Sequence, residues 1–127
     1  MKTEDKLRVG VIFGGRSGEH EVSLMSARSV LGALNPQEYI VTQIGITHEG
    51  RWLVGEHGLD AFTSGATHNL TPVTLLPDPT RRGLYAIRSQ EGGEILEHFA
   101  DMDVFIPVLH GTFGEDGTLQ GLFEMAG

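Results

Sequence analysis

The run from Val9 to Ser23, Val-Gly-Val-Ile-Phe-Gly-Gly-Arg-Ser-Gly-Glu-His-Glu-Val-Ser, leaves few architectures open. Val9 to Phe13 is a short apolar, β-branched run of the kind that forms a strand covered on both faces. Gly14, Gly15 and Gly18 permit positive φ and close backbone approach. Ser17 can cap a following helix, because its hydroxyl accepts an orphan N–H two or three residues on. A buried strand, a glycine turn and a helix start in immediate succession are the opening of an α/β domain. In open α/β sheets such turns lie at the carboxyl edge, where ligands bind.

A glycine turn at a helix start first suggests phosphate, since free N–H groups and the helix dipole attract anions. The residues argue otherwise. A G-x-G-x-x-G fingerprint ending on Gly18 requires glycine at position 13, where Phe13 stands, and a P-loop requires a lysine that is nowhere near. Glu19 and Glu21 occupy the first helical turn instead. A carboxylate there repels phosphate and suits an ammonium group, such as the α-amine of an amino acid. It equally stabilises the helix N-terminus on its own, and both readings of Glu19 stand on the residues alone.

A length of 127 residues fits one domain, 1–127, with a real core. The net charge of −8 argues against a nucleic-acid or anionic-membrane surface. The chain has no cysteine, which removes disulfides, thiolate nucleophiles and Cys-ligated metals. Its opening residues are charged, and the apolar run after them is far too short for a signal h-region or a membrane span. The expected setting is soluble and cytoplasmic.

Along the chain, residues 7–13 read as the first strand and 19–34 as a helix with Val22, Met25, Ala27, Val30, Leu31 and Leu34 on its apolar face. Asn35-Pro36 stops that helix. Residues 39–46 form a second strand, and the strand–helix–strand order makes the two strands parallel neighbours. A turn at 47–51 returns the chain through Trp52 to Val54 as an antiparallel strand. Residues 55–72 read as a surface excursion with one helical turn near Leu59 to Phe62. Val73–Leu76 and Leu84–Arg88 are expected to pair as a hairpin insert. Asp103 to Leu109 reads as a second buried strand, against which Pro107 is a mild objection because it removes a ladder donor. Asp116 can cap a last helix carrying Leu119, Leu122, Phe123 and Ala126. If the first and last main strands are neighbours, Glu19 and His110 meet in one crevice at the carboxyl edge.

Few other residues carry chemistry. His110 follows a strand end and is flanked by glycine, which suits either a ligand contact or a histidine bonded to backbone. The six histidines form no H-x-x-x-H pair, and His20-Glu21 has Leu24 where H-E-x-x-H requires histidine, so a zinc site is not expected. Ser17 does not lie in G-x-S-x-G. Glu115-Asp116 reads as a helix cap. The only lysines are Lys2 and Lys6, so no loop offers the cations and acidic groups that ATP and its magnesium require. No bound cofactor or metal is expected on this chain.

Gly14-Gly15-Arg16-Ser17-Gly18-Glu19-His20-Glu21-Val22-Ser23 resembles the N-terminal signature of D-alanine–D-alanine ligases. His110-Gly111 and Glu115-Asp116-Gly117-Thr118-Leu119-Gln120-Gly121 resemble the second part of that signature, in the right order. The resemblance spans essentially the whole chain but only the first third or so of such an enzyme. It implies the Rossmann-like, three-layer α/β/α pre-ATP-grasp domain, with a mainly parallel sheet, of an ATP-grasp ligase used in peptidoglycan synthesis. In that family ATP phosphorylates the carboxylate of one D-alanine, and the amine of a second attacks the acyl phosphate. By motif position, Glu19 would hold the ammonium of the first D-alanine, with Val22 and His110 lining that subsite and Glu19 and His110 serving the catalytic centre. ATP, with Mg2+ or Mn2+, would bind the central and C-terminal ATP-grasp domains, beyond Gly127, and the full-length enzyme would be a homodimer. The chain alone is expected to be inactive. Ligases that use D-lactate or D-serine second share this part. A stand-alone amino-acid-binding or regulatory module, and a nucleotide-binding Rossmann domain, are the readings from other classes.

Overall fold

The computed structural model describes residues 6–15 and 20–108. The elements are β1 (Leu7–Gly14), α1 (His20–Ala33), β2 (Tyr39–Ile46), β3 (Trp52–Val54), α2 (Gly58–Ser64), β4 (Thr71–Thr74), β5 (Leu84–Gln90), β6 (Gly93–Ala100) and β7 (Val104–Pro107). They build one seven-stranded sheet in the order β6-β5-β4-β3-β2-β1-β7. β1 is flanked by two parallel partners, β2 from Leu7↔Tyr39 to Gly14↔Ile46 and β7 from Val9↔Val104 to Ile12↔Pro107. The α/β class is therefore as expected, and the first and last main strands are indeed neighbours. The parallel character is confined to this β2-β1-β7 core. From β2 outward every pairing is antiparallel; for β2–β3, β4–β5 and β5–β6 the short turns leave no room for the crossover a parallel partner needs.

Alternation along β1 divides the core in two. Val9, Val11 and Phe13 face a cluster with Leu24 and Ala27 of α1 and Leu59 and Phe62 of α2. Ile12 faces the other way, with Ile44, Ile46, Val54, Val73, Leu75 and Leu84. Among the described residues both helices lie on the first face; the helix expected from Asp116 onward falls outside the described residues. Phe62 meets Phe13 edge-to-face, with ring centroids 5.5 Å apart, a geometry worth about 0.5–1.5 kcal/mol beyond the area buried. It can lie there because Gly45, the β2 partner of Phe13, leaves open the space a Cβ would take from the Phe62 ring.

Two expectations are corrected by this packing. The buried stripe of α1 runs through Ser23, Leu24 and Ala27, while Val22 is 49% exposed and Met25 74% exposed. The register of a helix face is fixed by which residues meet β1, and Leu24 with Ala27 outcompetes Val22 with Met25. The second correction concerns β7, expected as a buried strand, which among the described residues is the outermost strand on its side of the sheet. Phe105 and Ile106 are half-buried, and Val104 and Pro107 are exposed. That placement removes the objection to Pro107, since proline is tolerated on an edge.

Candidate functional site

The carboxyl ends of β2, β1 and β7 come out side by side and are tied together there. At the β1 exit, Gly14 and Gly15 take φ of 87° and 108°, backbone that glycine adopts without the steric cost a Cβ brings. The Gly15 N–H donates to the Ile46 carbonyl at 2.8 Å, joining the exits of β1 and β2. The Val108 N–H donates to the Ile12 carbonyl at 2.7 Å, joining the exits of β7 and β1.

Ser23, one turn into α1, completes the set. It is fully buried. Its Oγ accepts the Gly14 N–H at 2.8 Å and donates to the Val108 carbonyl. One hydroxyl thus bonds to α1's neighbours on both sides of the crevice. Removing it would leave a buried donor and a buried acceptor unpaired, at about 1–3 kcal/mol each. The sequence motif contains Ser23 but assigns it no task. Its one trace in the sequence is its register with Ala27 and Val30 on an otherwise apolar helix face, which does not by itself name a partner.

The predicted site residues distribute as follows. Val22 stands in the first turn of α1 with half its surface exposed. Glu19 and His110 lie outside the described residues, as do Arg16, Ser17, Gly18 and the 109–127 stretch. What the described residues do place is where those stretches are tethered. Gly15 and Val108 both end at the same edge and are linked through Gly14, Ser23 and Ile12. A cleft of about 510 Å³ lies further along, lined by Thr47, Glu49, Arg51 and His68 among others. It sits across β2 from the β1–β7 crevice and matches none of the predicted positions.

At the opposite, amino edge the same two strands are held by charge. Arg8 donates Nε to Asp103 Oδ2 at 3.0 Å and Nη2 to Asp103 Oδ1 at 2.9 Å, a bidentate pair, and its backbone N–H also reaches Oδ2 at 2.8 Å. The Arg8 side-chain bonds, first, and its backbone bond hold the Asp103 carboxyl down at about 2. Among the described residues no group of three or more His, Cys, Asp or Glu is placed to hold a metal ion, and no helix is long and apolar enough to cross a membrane.

The arrangement was compared with known proteins. The family described as the D-ala D-ala ligase N-terminus matches residues 8–127. The chain belongs to that family. It is 46% identical to the D-alanine–D-alanine ligase of Natranaerobius thermophilus over 123 residues, which is 96% of this chain and 32% of that enzyme. Its fold superposes on the VanG D-Ala:D-Ser ligase of Enterococcus faecalis with a TM-score of 0.79 at 36% identity, covering 95% of this chain and 34% of the other. The D-alanine–D-alanine ligase of Coxiella burnetii gives a TM-score of 0.74 at 29% identity, covering 96% and 34%. The chain thus spans about a third of the length of the relatives it matches.

Proposed function

We propose that this chain is the N-terminal, substrate-binding domain of an ATP-dependent D-alanine–D-alanine ligase, and that it supplies the subsite for the first D-alanine. The observation that supports the reading is that the two strands leading into the signature stretches are parallel neighbours with their carboxyl ends on one edge. The motif that begins at Gly14 and the motif that begins at His110 start from strands that are parallel neighbours, with exits bonded through Ser23. In an open α/β sheet that edge is the ligand crevice. In this reading the Glu19 carboxylate pairs with the substrate ammonium, His110 lines the reacting side, and the exposed Val22 offers the methyl group an apolar contact. Pairing a charge with its counter-charge orients the amino acid, so that its carboxylate rather than its amine presents to the nucleotide.

ATP-using sites place cationic groups on the phosphates and acidic groups on magnesium, and the only lysines of this chain are Lys2 and Lys6. As the family resemblance implies, ATP and Mg2+ or Mn2+ belong to further domains of the same polypeptide, and this domain binds and orients D-alanine. A cytoplasmic homodimer feeding peptidoglycan synthesis is the setting this implies.

A second reading follows from the likeness to a D-Ala:D-Ser ligase: the first amino acid is D-alanine and the second is D-serine. The test is a coupled ADP-release assay on the gene product that carries this chain, with D-alanine alone, D-alanine plus D-serine, and L-alanine. ADP release with D-alanine alone supports the first reading. Release that needs D-serine selects the second. No release with any of the three contradicts both and leaves the binding-module reading.

A further inference from the structure

We propose that Ser23 is a positioning residue for the first-substrate subsite: its hydroxyl fixes the separation at which β1 and β7 leave the sheet, and so sets the points from which the chain departs toward Glu19 and toward His110. The inference rests on the function proposed above and adds to it a residue that never touches substrate. Ser23 is fully buried on an inward stripe otherwise made of Leu24 and Ala27. A polar side chain in such a place has a structural or functional reason. Its two bonds go to different strands. Gly14 is two residues past the last β1 position paired with β7, so its N–H belongs to the departing chain and not to that ladder. Val108 is likewise the first residue past β7, with its N–H already held by Ile12 and its carbonyl taken by Ser23.

The Val108 peptide is thus clamped from the sheet on one side and from α1 on the other. A hydroxyl accepts one bond and donates the other. Alanine can do neither. Glu19 lies four residues beyond Gly15 and His110 two beyond Val108. In this proposal, fixing the two exits limits where both residues can be reached from.

The experiment uses the ligase that carries this chain and compares wild type with Ser23→Ala, Ser23→Thr and Leu24→Ala. Leu24 is buried on the same helix and packs in the core, so its truncation reports plain loss of stability. Ser23→Ala is expected to raise KM for the first D-alanine by about tenfold to a hundredfold, the scale of an ångström-sized misplacement, with KM for ATP within about twofold. Ser23→Thr, which keeps the hydroxyl, should recover most of that loss. Leu24→Ala should lower Tm at least as far while leaving the D-alanine KM near wild type. An unchanged D-alanine KM in Ser23→Ala, or equal rises in Ser23→Ala and Leu24→Ala, overturns the proposal. Should Ser23→Ala not fold, Ser23→Cys keeps the size, weakens both bonds and carries the same comparison. An inactive wild type would contradict the ligase reading. The locking of the strand exits is then read from amide hydrogen exchange, which Ser23→Ala should speed at Gly14 and Val108 and not at Ile44. Unchanged rates at both would overturn the locking too.

Discussion

Gly45 and Gly14 show two different reasons for a glycine, and each makes a prediction. At Gly45 the constraint is space: a Cβ would overlap the Phe62 ring. Gly45→Ala should destabilise by about 1–3 kcal/mol, as overpacking does, read as a lower urea midpoint with an unchanged m-value. At Gly14 the constraint is the left-handed backbone, φ 87°, so Gly14→Ala should cost about 1–2 kcal/mol from the Cβ clash alone. The glycine turn after β1 was legible in the sequence because the residues themselves name the conformation. The task of Ser23 was not legible. A serine inside a helix face looks the same whether it is solvated or bonded to two strands, and only the meeting of β1 with β7 supplies its partners. The Arg8–Asp103 pair gives a pH prediction. The folded carboxyl sits at about 2, below its ordinary 3.8. Its contribution to stability is therefore complete above the ordinary value and is lost as pH falls from there toward about 2. Denaturation curves of wild type and Asp103→Asn should converge over that interval and stay apart at neutral pH. The pair is solvent-exposed, so the difference should be small and should shrink with salt.

Among the elements, those with a strong pattern were readable and the one without was not. β1, α1, β2 and the β3 return stand where the apolar runs and the Asn35-Pro36 stop put them. The helical turn near Leu59 became a seven-residue helix, Gly58–Ser64, ended by Gly65 at φ 84°. β6 had no reading at all. Gly93–Ala100 is exposed along nearly its whole length, so burial imprints no alternation on it. It exists through its ladder with β5, from Leu84↔Ala100 to Gln90↔Gly93, closed by the tight turn at Glu91–Gly92. A strand held by one neighbour and little burial opens locally at low free energy. Hydrogen exchange should show Leu96 and His98 exchanging far faster than Val11 and Ile12 at the centre of the sheet. Equal protection would mean that β6 is covered by something else. The error over β7 has the opposite origin. Asp103 to Leu109 is apolar enough to read as a buried strand, and a single sequence does not say which apolar strand comes outermost among the described ones.

For the whole molecule, the sheet sets the two strands that lead into the signature stretches side by side, and the chain spans about a third of the length of the relatives it matches. Under the proposed function, this domain holds the first D-alanine and further parts of the polypeptide hold ATP. The 127-residue chain incubated alone with ATP, Mg2+ and D-alanine should release no ADP, and sustained D-alanine-dependent release from it would contradict that division. The most direct test of the central claim is kcat/KM for the first D-alanine in the ligase carrying this chain, wild type against Glu19→Gln, a change that keeps the shape and removes the charge. The account predicts that the variant loses at least about a hundredfold, the cost of leaving a buried ammonium without its counter-charge. A Glu19→Gln enzyme with wild-type kcat/KM would contradict it, leaving Glu19 as nothing more than a stabiliser of the α1 N-terminus.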